Sequence, residues 1–273
     1  MLLSNLTFVV STFNESARIG RVIENFKPFG RVLIVDNYSE DNTVEIARTH
    51  GCDVLMNKNQ GWTEDEETVT NVKQAVKTEW IYWGFADEML EKTSIEEMAA
   101  VIASEKYDVV SILRKNHYYG RFCHGAFADR APRAFRKSAI DFTGNKIHSF
   151  GTLMVPKERV CILEGKYFIH HFISNTAKSY LAVIDRYTDV EMHETGRTGG
   201  VARIVIAPLR MFVKNFLIMG GYRGGIPVFF LVCQMVIYRW LAVMKLYEAQ
   251  NGVNRNQIER SNDKIRDRIL SQL

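Results

Sequence analysis

The chain has 273 residues, of which 47% are hydrophobic and 24% charged, and a formal net charge of +4. This length and this ordinary composition suit a globular α/β domain with an appendage, and they exclude disordered and fibrous proteins. The four cysteines lack metal-binding spacing, which argues against a zinc site or a disulfide framework and fits a reducing cytoplasm. The N-terminus lacks the basic start and long apolar core of a signal peptide.

The charge is unevenly distributed along the chain. Residues 203–273 hold 11 Lys and Arg against 4 Asp and Glu, a net charge of +7, so residues 1–202 carry −3. A basic tail after a mildly acidic body predicts contact with an anionic partner, either phospholipid or nucleic acid, unless the charges only form a solvated face. No nucleic-acid partner is expected, because the basic residues alternate with long apolar stretches and not with the isolated aromatics of a stacking platform.

Apolar strands alternate with amphipathic helices in the first part of the chain. We predict strands at residues 6–12, 31–36, 53–56, 80–85 and 107–113. We predict helices at residues 17–26, 43–50, 66–77 and 94–104. This alternation is typical of an α/β fold whose mostly parallel sheet is flanked by helices.

The pattern changes after about residue 203, which divides the chain into a domain at 1–202 and a helical region at 203–273. Residues 204–219 form an amphipathic or apolar helix, and a glycine cluster follows. Residues 226–238 are almost wholly apolar, but this run of 13 residues is shorter than the about 20 that span a bilayer. We therefore expect an interfacial or re-entrant hairpin, with a buried core or oligomer helix as the alternative.

Polar groups follow four of the predicted strands, and ligands of parallel sheets bind beyond the carboxyl ends of the strands. In chain order these groups are Thr12, Phe13 and Glu15, then Asp36, then Asn59, and finally Asp87 with Glu88. A carboxylate here can accept from a nucleotide base or a ribose hydroxyl, and adjacent carboxylates can hold Mg²⁺ or Mn²⁺ beside a diphosphate. Any one of these groups alone is more often a helix cap or a solvated turn.

The spacing of these groups resembles that of a known family. The run TFNE from Thr12, the run VDNYSEDNTVEIA from Val35, the N-x-x-x-G run from Asn57 and the strand ending in ADE resemble family 2 glycosyltransferases with the Rossmann-like GT-A fold. The likeness is greatest to the branch that adds sugars to lipopolysaccharide core and similar surface glycans. It covers residues 6–151 and returns in the tail, which resembles the membrane-associated terminus of that branch.

The resemblance implies an inverting transfer of sugar from a UDP- or GDP-linked donor to a glycan or lipid-linked acceptor, in cell-surface polysaccharide or lipopolysaccharide biosynthesis. It implies that Thr12 and Phe13 line the base pocket and that Asp36 binds the base. The strand-end residues Glu15 and Asn59 belong to the same predicted nucleotide site. The products of such a reaction would be an inverted glycoside and a nucleoside diphosphate.

The resemblance also implies that Asp87 binds the metal and the diphosphate. The chain departs from the family pattern at Phe85, where the first aspartate of D-A-D-E is expected. Phenylalanine binds neither a metal nor a ribose hydroxyl, so Mg²⁺ or Mn²⁺ would be held by Asp87 and Glu88. Metal independence, with Lys or Arg carrying the diphosphate charge, is the alternative.

An inverting transfer needs a base that takes a proton from the acceptor hydroxyl. The candidates are Asp129 and His148, and Asp129 is preferred because a carboxylate is the usual base in related enzymes. The family pattern places Glu after this histidine, whereas here Ser149 follows. His148 stays a candidate base, with a contact to phosphate or structural packing as the alternatives. One of His170 and His171 matches a family histidine near the active site, and the sequence does not say which.

These observations predict a cytoplasmic enzyme bound peripherally to the inner face of the plasma membrane. Its partners are a nucleotide-sugar donor, a glycan or glycolipid acceptor and the membrane surface, with a homo-oligomer through the tail helices as the alternative to lipid contact. A second hypothesis is a GT-A-like binding or assembly protein that has lost turnover, which Phe85 and Ser149 favour. The intact segment 35–47 favours the enzyme, because an inactive scaffold needs no base-binding aspartate.

Overall fold

The computed structural model describes residues 3–59, 64–145, 150–194 and 202–272. The chain folds as two compact units, Met1–Ile173 and Ser174–Leu273. The first unit contains the sheet and the second is helical. The division comes earlier than the predicted boundary after residue 202, because the helix Ala177–Glu194 belongs to the second unit.

The described strands are β1 (Leu6–Thr12), β2 (Arg31–Asp36), β3 (Asp53–Met56), β4 (Trp80–Phe85), β5 (Glu88–Leu90), β6 (Val109–Tyr118), β7 (Arg121–Phe122), β8 (Asp129–Arg136), β9 (Ile140–Asp141), β10 (Thr152–Leu153), β11 (Val160–Ile162) and β12 (Phe168–Ile173). The described α-helices are α1 (Ile19–Phe26), α2 (Thr43–Thr49), α3 (Glu66–Ala75), α4 (Lys92–Ala103), α5 (Ala177–Glu194), α6 (Ala207–Phe212), α7 (Gly225–Asn251) and α8 (Arg255–Leu270). Short 3₁₀ turns lie at Lys157–Arg159 and Gly221–Gly224, and π-helical turns at Ala202–Ile206 and Val213–Ile218.

The first unit is built on one large sheet with strand order β3-β2-β1-β4-β8-β6-β12-β5, and β7 and β11 also pair with β6. The strands β1 to β4 are mutually parallel, as predicted. Strand β8 runs antiparallel between β4 and β6, and β5 runs antiparallel to β12. The predicted α/β fold with a mostly parallel sheet is confirmed, and the antiparallel strand β8 comes from the part of the sequence that lacks clear periodicity.

The sheet is buried on both faces, which explains why its strands are continuous apolar runs. On one face the rings of Phe8, Phe26 and Tyr82 pack together, with Phe8 and Phe26 stacked at a centroid distance of 4.8 Å. On the other face Trp83 and Phe142 lie in a second core, with ring centroids 6.3 Å apart. The polar ends of the strands are therefore the parts of the central sheet left for chemistry.

The second unit is held together by contacts between α5 and α7. Lys245 Nζ lies 2.6 Å from Oδ1 of both Asp185 and Asp189. Helix α7 continues through Arg239 to Asn251, so it is longer than the predicted apolar run that ended at residue 238. The segment Gly221–Asn251 is long and apolar enough to cross a membrane, by length and composition alone.

Two glycines in left-handed conformations after β9 provide a matched test of packing, Gly144 (φ +64°) and Gly151 (φ +62°). A Cβ at Gly151 would lie 2.4 Å from Cγ2 of Ile140 and 2.7 Å from the carbonyl oxygen of Asp141, whereas a Cβ at Gly144 meets nothing within 4 Å. We expect Gly144→Ala to lower the free energy of unfolding by about 1 kcal/mol and Gly151→Ala by about 2–4 kcal/mol in urea titrations. Equal losses would contradict the close approach at Gly151.

Candidate active site

The loops after β1 and β2 are tied together at the carboxyl edge of the sheet. The Asn14 amide donates to Ser39 Oγ at 2.7 Å, and the Glu40 amide donates to Asn14 Oδ1 at 2.8 Å. The Glu15 amide donates to Thr43 Oγ1 at 2.7 Å. These bonds join the first two strand-end loops into one wall beside the end of β1.

Asp36 lies at the end of β2 and is fully buried. It accepts hydrogen bonds from the amide of Ser39 at 2.7 Å and from Ser39 Oγ at 2.6 Å, so it also caps the following turn. Its register partner on β1 is Thr12. Thr12 Oγ1 is buried and finds no hydrogen-bond partner in the part of the chain that the structure describes. Because buried hydroxyls normally have a hydrogen-bond partner, we expect water or a ligand at Thr12 Oγ1.

The loop after β3 joins the same edge. The side chain of Asn37 donates from Nδ2 to the carbonyl oxygen of Asn59 and accepts from the Asn59 amide at Oδ1, both at 2.8 Å. Phe13 follows Thr12 and is half-buried. The predicted nucleotide-site residues after β1, β2 and β3 therefore occupy neighbouring loops.

Asp87 lies between β4 and β5 and faces a histidine of β12. Its Oδ2 is 3.2 Å from His171 Nε2, and its carbonyl oxygen accepts from the Phe172 amide at 2.8 Å. The antiparallel pairing of β5 with β12 produces this contact. The side chains are 27% exposed for Asp87 and 18% for His171, so both are open to a ligand.

Asn116 fixes the orientation of the His171 ring. Its Nδ2 donates to the carbonyl oxygens of Ala126 and Phe127, which turns Oδ1 towards His171. That Oδ1 lies 2.7 Å from His171 Nδ1 and accepts the proton there. The other ring nitrogen, Nε2, is thereby directed at Asp87.

The charges around Asp87 are mostly positive. Burial raises the pKa of Asp87, but the hydrogen bond from His171 and the charges of His171, Arg18 and Arg114 outweigh it, so the pKa lies below its ordinary value. Arg18 Nη2 donates to Glu15 Oε1 at 2.6 Å, and Arg18 Nη1 donates to the carbonyl oxygen of Phe172 at 3.1 Å. Glu15 thus positions an arginine beside Asp87.

Glu88 differs from its predicted role as a metal ligand. Its side chain is fully buried and forms ion pairs with Arg133, itself almost fully buried, and with Arg114 at 3.3 Å. Both arginines contact Oε1 of Glu88, and its buried Oε2 finds no hydrogen-bond partner in the part of the chain that the structure describes. His171 takes the place beside Asp87 that Glu88 was expected to fill.

Asp129 begins β8 at the same edge of the sheet as Asp87. It pairs with Arg114, whose Nε donates to Asp129 Oδ1 at 2.9 Å, and about half of its side chain is exposed. Arg114 therefore links the predicted base to the surroundings of Asp87. The other predicted base, His148, lies outside the described residues.

Glu64 is a carboxyl that sequence reasoning missed. Burial raises the pKa of Glu64, and the nearby charges of Arg133 and Arg114 only partly oppose this effect. The raised pKa favours the protonated form of this carboxyl. No sequence motif indicates this environment, because the arginines come from strands far away in the chain.

A divalent cation fits between Asp87 Oδ2 and His171 Nε2, whose separation of 3.2 Å allows both atoms to bind one ion. Among the described residues no group of three or more His, Cys, Asp or Glu side chains could form a closed metal cage. A bound cation would thus take its other ligands from a substrate and from water, as is usual for ions that bridge protein and phosphate.

Phe85, which stands where the family pattern has an acid, packs against an arginine. The Arg133 guanidinium lies over the Phe85 ring, 5.2 Å from the centroid, and donates to the carbonyl oxygen of Trp83 at 3.0 Å. An apolar ring stacked on a cation occupies the position at which the family pattern has an acid.

Residues 7–148, slightly more than half of the 273 residues, match the model of the family described as glycosyl transferase family 2. The chain belongs to glycosyl transferase family 2. An uncharacterized glycosyltransferase of Rickettsia felis is 30% identical over 263 residues, which cover 90% of this chain and 91% of that protein. An uncharacterized glycosyltransferase of Rickettsia prowazekii is 33% identical over 103 residues, 37% of this chain and 34% of that protein, so the match spans about a third of that relative.

Solved structures also resemble this family 2 glycosyltransferase. The crystal structure of S. aureus TarS 1-349 in complex with UDP-GlcNAc has a TM-score of 0.46 at 15% identity, covering 89% of this chain and 83% of that one. Glucosyl-3-phosphoglycerate synthase from Mycobacterium tuberculosis in complex with Mn²⁺ and UDP-glucose has a TM-score of 0.33 at 18% identity, covering 43% and 45%. UDP-GlcNAc, Mn²⁺ and UDP-glucose are ligands of those two proteins.

The hydrogen bond from His171 to Asn116 leads to a prediction about cation binding. We expect Asn116→Ala to weaken Mn²⁺ binding by about 10–100-fold, because the His171 ring loses the acceptor that orients it. Asn116→Asp keeps an acceptor for Nδ1–H and should retain most of the affinity, although it loses the two bonds to the carbonyls of Ala126 and Phe127. Mn²⁺ titrations followed by electron paramagnetic resonance measure both variants, and equal affinities in Asn116→Ala and wild type would contradict the role of Asn116.

Proposed function

We propose that this chain transfers a sugar from a UDP- or GDP-linked donor, with inversion, to a glycan or lipid-linked acceptor in the biosynthesis of cell-surface polysaccharide or lipopolysaccharide. The observation that carries the proposal is the placement of Asp36 and Asp87 on the two sides of the end of β1, at one edge of the sheet. A nucleoside diphosphate can lie across the end of β1, against the turn that buried Asp36 holds through Ser39 and against the exposed side of Asp87. Membership of glycosyl transferase family 2 supports the sugar-transfer chemistry.

The donor is bound from its two ends. The nucleoside lies beside Asp36, the Thr12 hydroxyl that has no partner among the described residues, and the ring of Phe13. Asp87 lies at the diphosphate end. The positive charges of Arg18 and Arg114 near Asp87 favour a diphosphate at this position. The donor sugar then faces Asp129, which Arg114 holds at the same edge.

Mn²⁺ is the cation we propose for the pair Asp87 and His171. Mg²⁺ strongly prefers oxygen ligands, whereas an imidazole nitrogen suits a transition ion. The cation would neutralise charge that develops on the departing nucleoside diphosphate. The chain's own residues hold the ligands in place, since Asn116 orients His171 and the β5–β12 pairing positions Asp87.

Asp129 is the proposed base, and Glu64 is its competitor. Asp129 is partly exposed and open to an acceptor sugar, and it pairs with Arg114. Burial raises the pKa of Glu64, which favours proton uptake by that carboxyl. Proton abstraction from the acceptor hydroxyl lets its oxygen attack the anomeric carbon opposite the leaving group, which inverts the anomer.

We further propose that the enzyme acts at the inner face of the plasma membrane, bound through its second unit. Large apolar side chains of this unit are exposed, among them Leu209, Leu217, Ile218, Ile226, Phe230 and Trp240. Soluble proteins rarely expose so many apolar groups without a partner. A membrane location brings a lipid-linked acceptor near the enzyme, and a homo-oligomer through these helices is the alternative.

The second candidate function is a binding or assembly protein without turnover. Phe85 favours it, because the Arg133 cation stacks on a ring where the family pattern supplies an acid. The Asp87–His171 pair favours the enzyme, because it retains two potential cation ligands at the diphosphate end. Binding without transfer would support this second function.

The metal assignment predicts opposite outcomes for two adjacent carboxylates. Asp87→Asn should abolish Mn²⁺-dependent binding of UDP- or GDP-sugars in calorimetric titrations, because it removes one of only two protein ligands. Glu88→Gln should retain that binding and instead lower the free energy of unfolding by about 3 kcal/mol, because it leaves the buried Arg133 without a full counter-charge. Absence of nucleotide-sugar binding in the wild-type protein, with and without Mn²⁺, would remove the catalytic proposal.

The base assignment predicts that Asp129→Asn loses transfer and keeps donor binding. A general base contributes about 10²–10⁴-fold to the rate, so a loss of that size in kcat is expected with an unchanged donor Kd. Glu64→Gln is the matched comparison, because it also neutralises one carboxyl near Arg114. If Glu64→Gln loses transfer and Asp129→Asn does not, Glu64 is the base.

A further inference from the structure

In the part of the chain that the structure describes, helix α8 buries none of its residues. It has 16 residues, and every one of them is exposed. It is separated from α7 by Gly252 in the left-handed conformation, and the side chain of Asn254 caps it by accepting from the Gln257 amide at 3.1 Å. Isolated helices of about this length are marginally stable in water, so a surface that receives α8 would stabilise it.

Three of the four apolar residues of α8 form one narrow stripe, and the fourth, Leu270, lies about 120° away around the helix. At about 100° per residue, Ile258, Ile265 and Ile269 fall within about 40° of one another around the helix axis. Their exposed fractions are 48%, 55% and 57%. A helix that faces a protein core shows an apolar face of about 100° or more, so this stripe suits a shallow contact.

The charged residues nearest this stripe are all basic. Arg255, Arg266 and Arg268 lie within about 80° of it, whereas every acidic residue of the helix lies about 100° or more away. Arg266 also contacts the acidic side through Glu259 at 2.8 Å and Asp263 at 2.6 Å. The face that carries the isoleucines is therefore basic, and the opposite face mixes the acids with Arg260 and Lys264.

A second copy of α8 is a poor occupant for this face. With Ile258 and Ile265 at the d positions of a heptad, Ile269 falls at an a position, but the two preceding a positions are Arg255 and Asn262, so the apolar seam is short and interrupted. An anionic lipid surface fits better, because arginines can extend their apolar stems beside a shallow apolar stripe and direct their guanidinium groups to phosphate.

We propose that α8 lies on the membrane surface with Ile258, Ile265 and Ile269 among the lipid headgroups and Arg255, Arg266 and Arg268 against anionic phosphates. This inference rests on the proposed membrane location and not on the sugar-transfer chemistry. It adds a preference for anionic lipids to the proposed membrane binding. The exposed apolar residues around α6 and α7 do not distinguish anionic from neutral lipids.

Vesicle binding of the full chain tests the proposal. Wild type should bind vesicles of equal parts phosphatidylglycerol and phosphatidylcholine more tightly than vesicles of phosphatidylcholine alone. The variant Arg255→Gln/Arg266→Gln/Arg268→Gln should lose on the order of a hundredfold in affinity for the anionic vesicles and little for the neutral ones. These residues are exposed, so the change does not disturb the packed core.

A matched control removes the same charge elsewhere. Arg31→Gln/Lys77→Gln/Lys106→Gln changes three exposed basic residues of the first unit and should leave vesicle affinity unchanged. Equal losses of vesicle affinity in the two triple variants, or no loss in the α8 variant, would overturn the inference. The proposed membrane binding would remain if wild type still binds the vesicles. Binding of wild type to neither vesicle would refute the membrane location itself and leave sugar transfer untouched.

The isoleucine stripe is tested by Ile258→Ser/Ile265→Ser/Ile269→Ser. This variant should bind anionic vesicles more weakly and keep the same molar mass by light scattering in solution. A wild-type dimer that this variant converts to a monomer would overturn the proposal in favour of a second copy of the chain.

Discussion

The parallel pairing of β1 with both β2 and β4 fixes the geometry of the candidate active site. Thr12 pairs with Asp36 on one side, and Ser11 pairs with Phe85, two residues before Asp87, on the other. With adjacent strands about 4.8 Å apart, β2 and β4 lie about 10 Å from each other across β1. One ligand of nucleotide size can therefore reach from the turn after β2, which Asp36 holds, to Asp87. The tied loops after β1, β2 and β3 then form the nucleoside side of the site, and β5 with β12 forms the diphosphate side.

Much of the central sheet could be predicted from the sequence, because β1 to β4 are apolar runs bounded by polar loops. The strand-end positions of Asp36 and Asp87 follow from the same runs. The role of Glu88 could not be predicted in this way, because its partners Arg133 and Arg114 come from β8 and β6, whose pairing is antiparallel and non-local. For the same reason the sequence left His170 and His171 equivalent, whereas the alternation of β12 directs His171 to Asp87 and His170 to His117 and Glu91.

The charged side chains at the end of β4 have partners, although Phe85 stands where the family pattern has an acid. Arg133 is neutralised by Glu88 and covered by the Phe85 ring, so it needs no further carboxylate. Asp87 keeps its charge because His171, Arg18 and Arg114 surround it. The proposed donor site therefore depends on one carboxylate and one imidazole at the diphosphate end. The second unit carries exposed apolar side chains, and we assign these to contact with the membrane.

A crystal structure of the protein with UDP and Mn²⁺, with anomalous scattering recorded for manganese, tests the proposed donor site most directly. We predict one manganese peak at about 2 Å from both Asp87 Oδ2 and His171 Nε2, with the diphosphate on its open side and the uracil beside Asp36. A nucleotide bound at another edge of the sheet would contradict the proposed site. Manganese held by Glu88, or found away from His171, would contradict the assigned cation ligands.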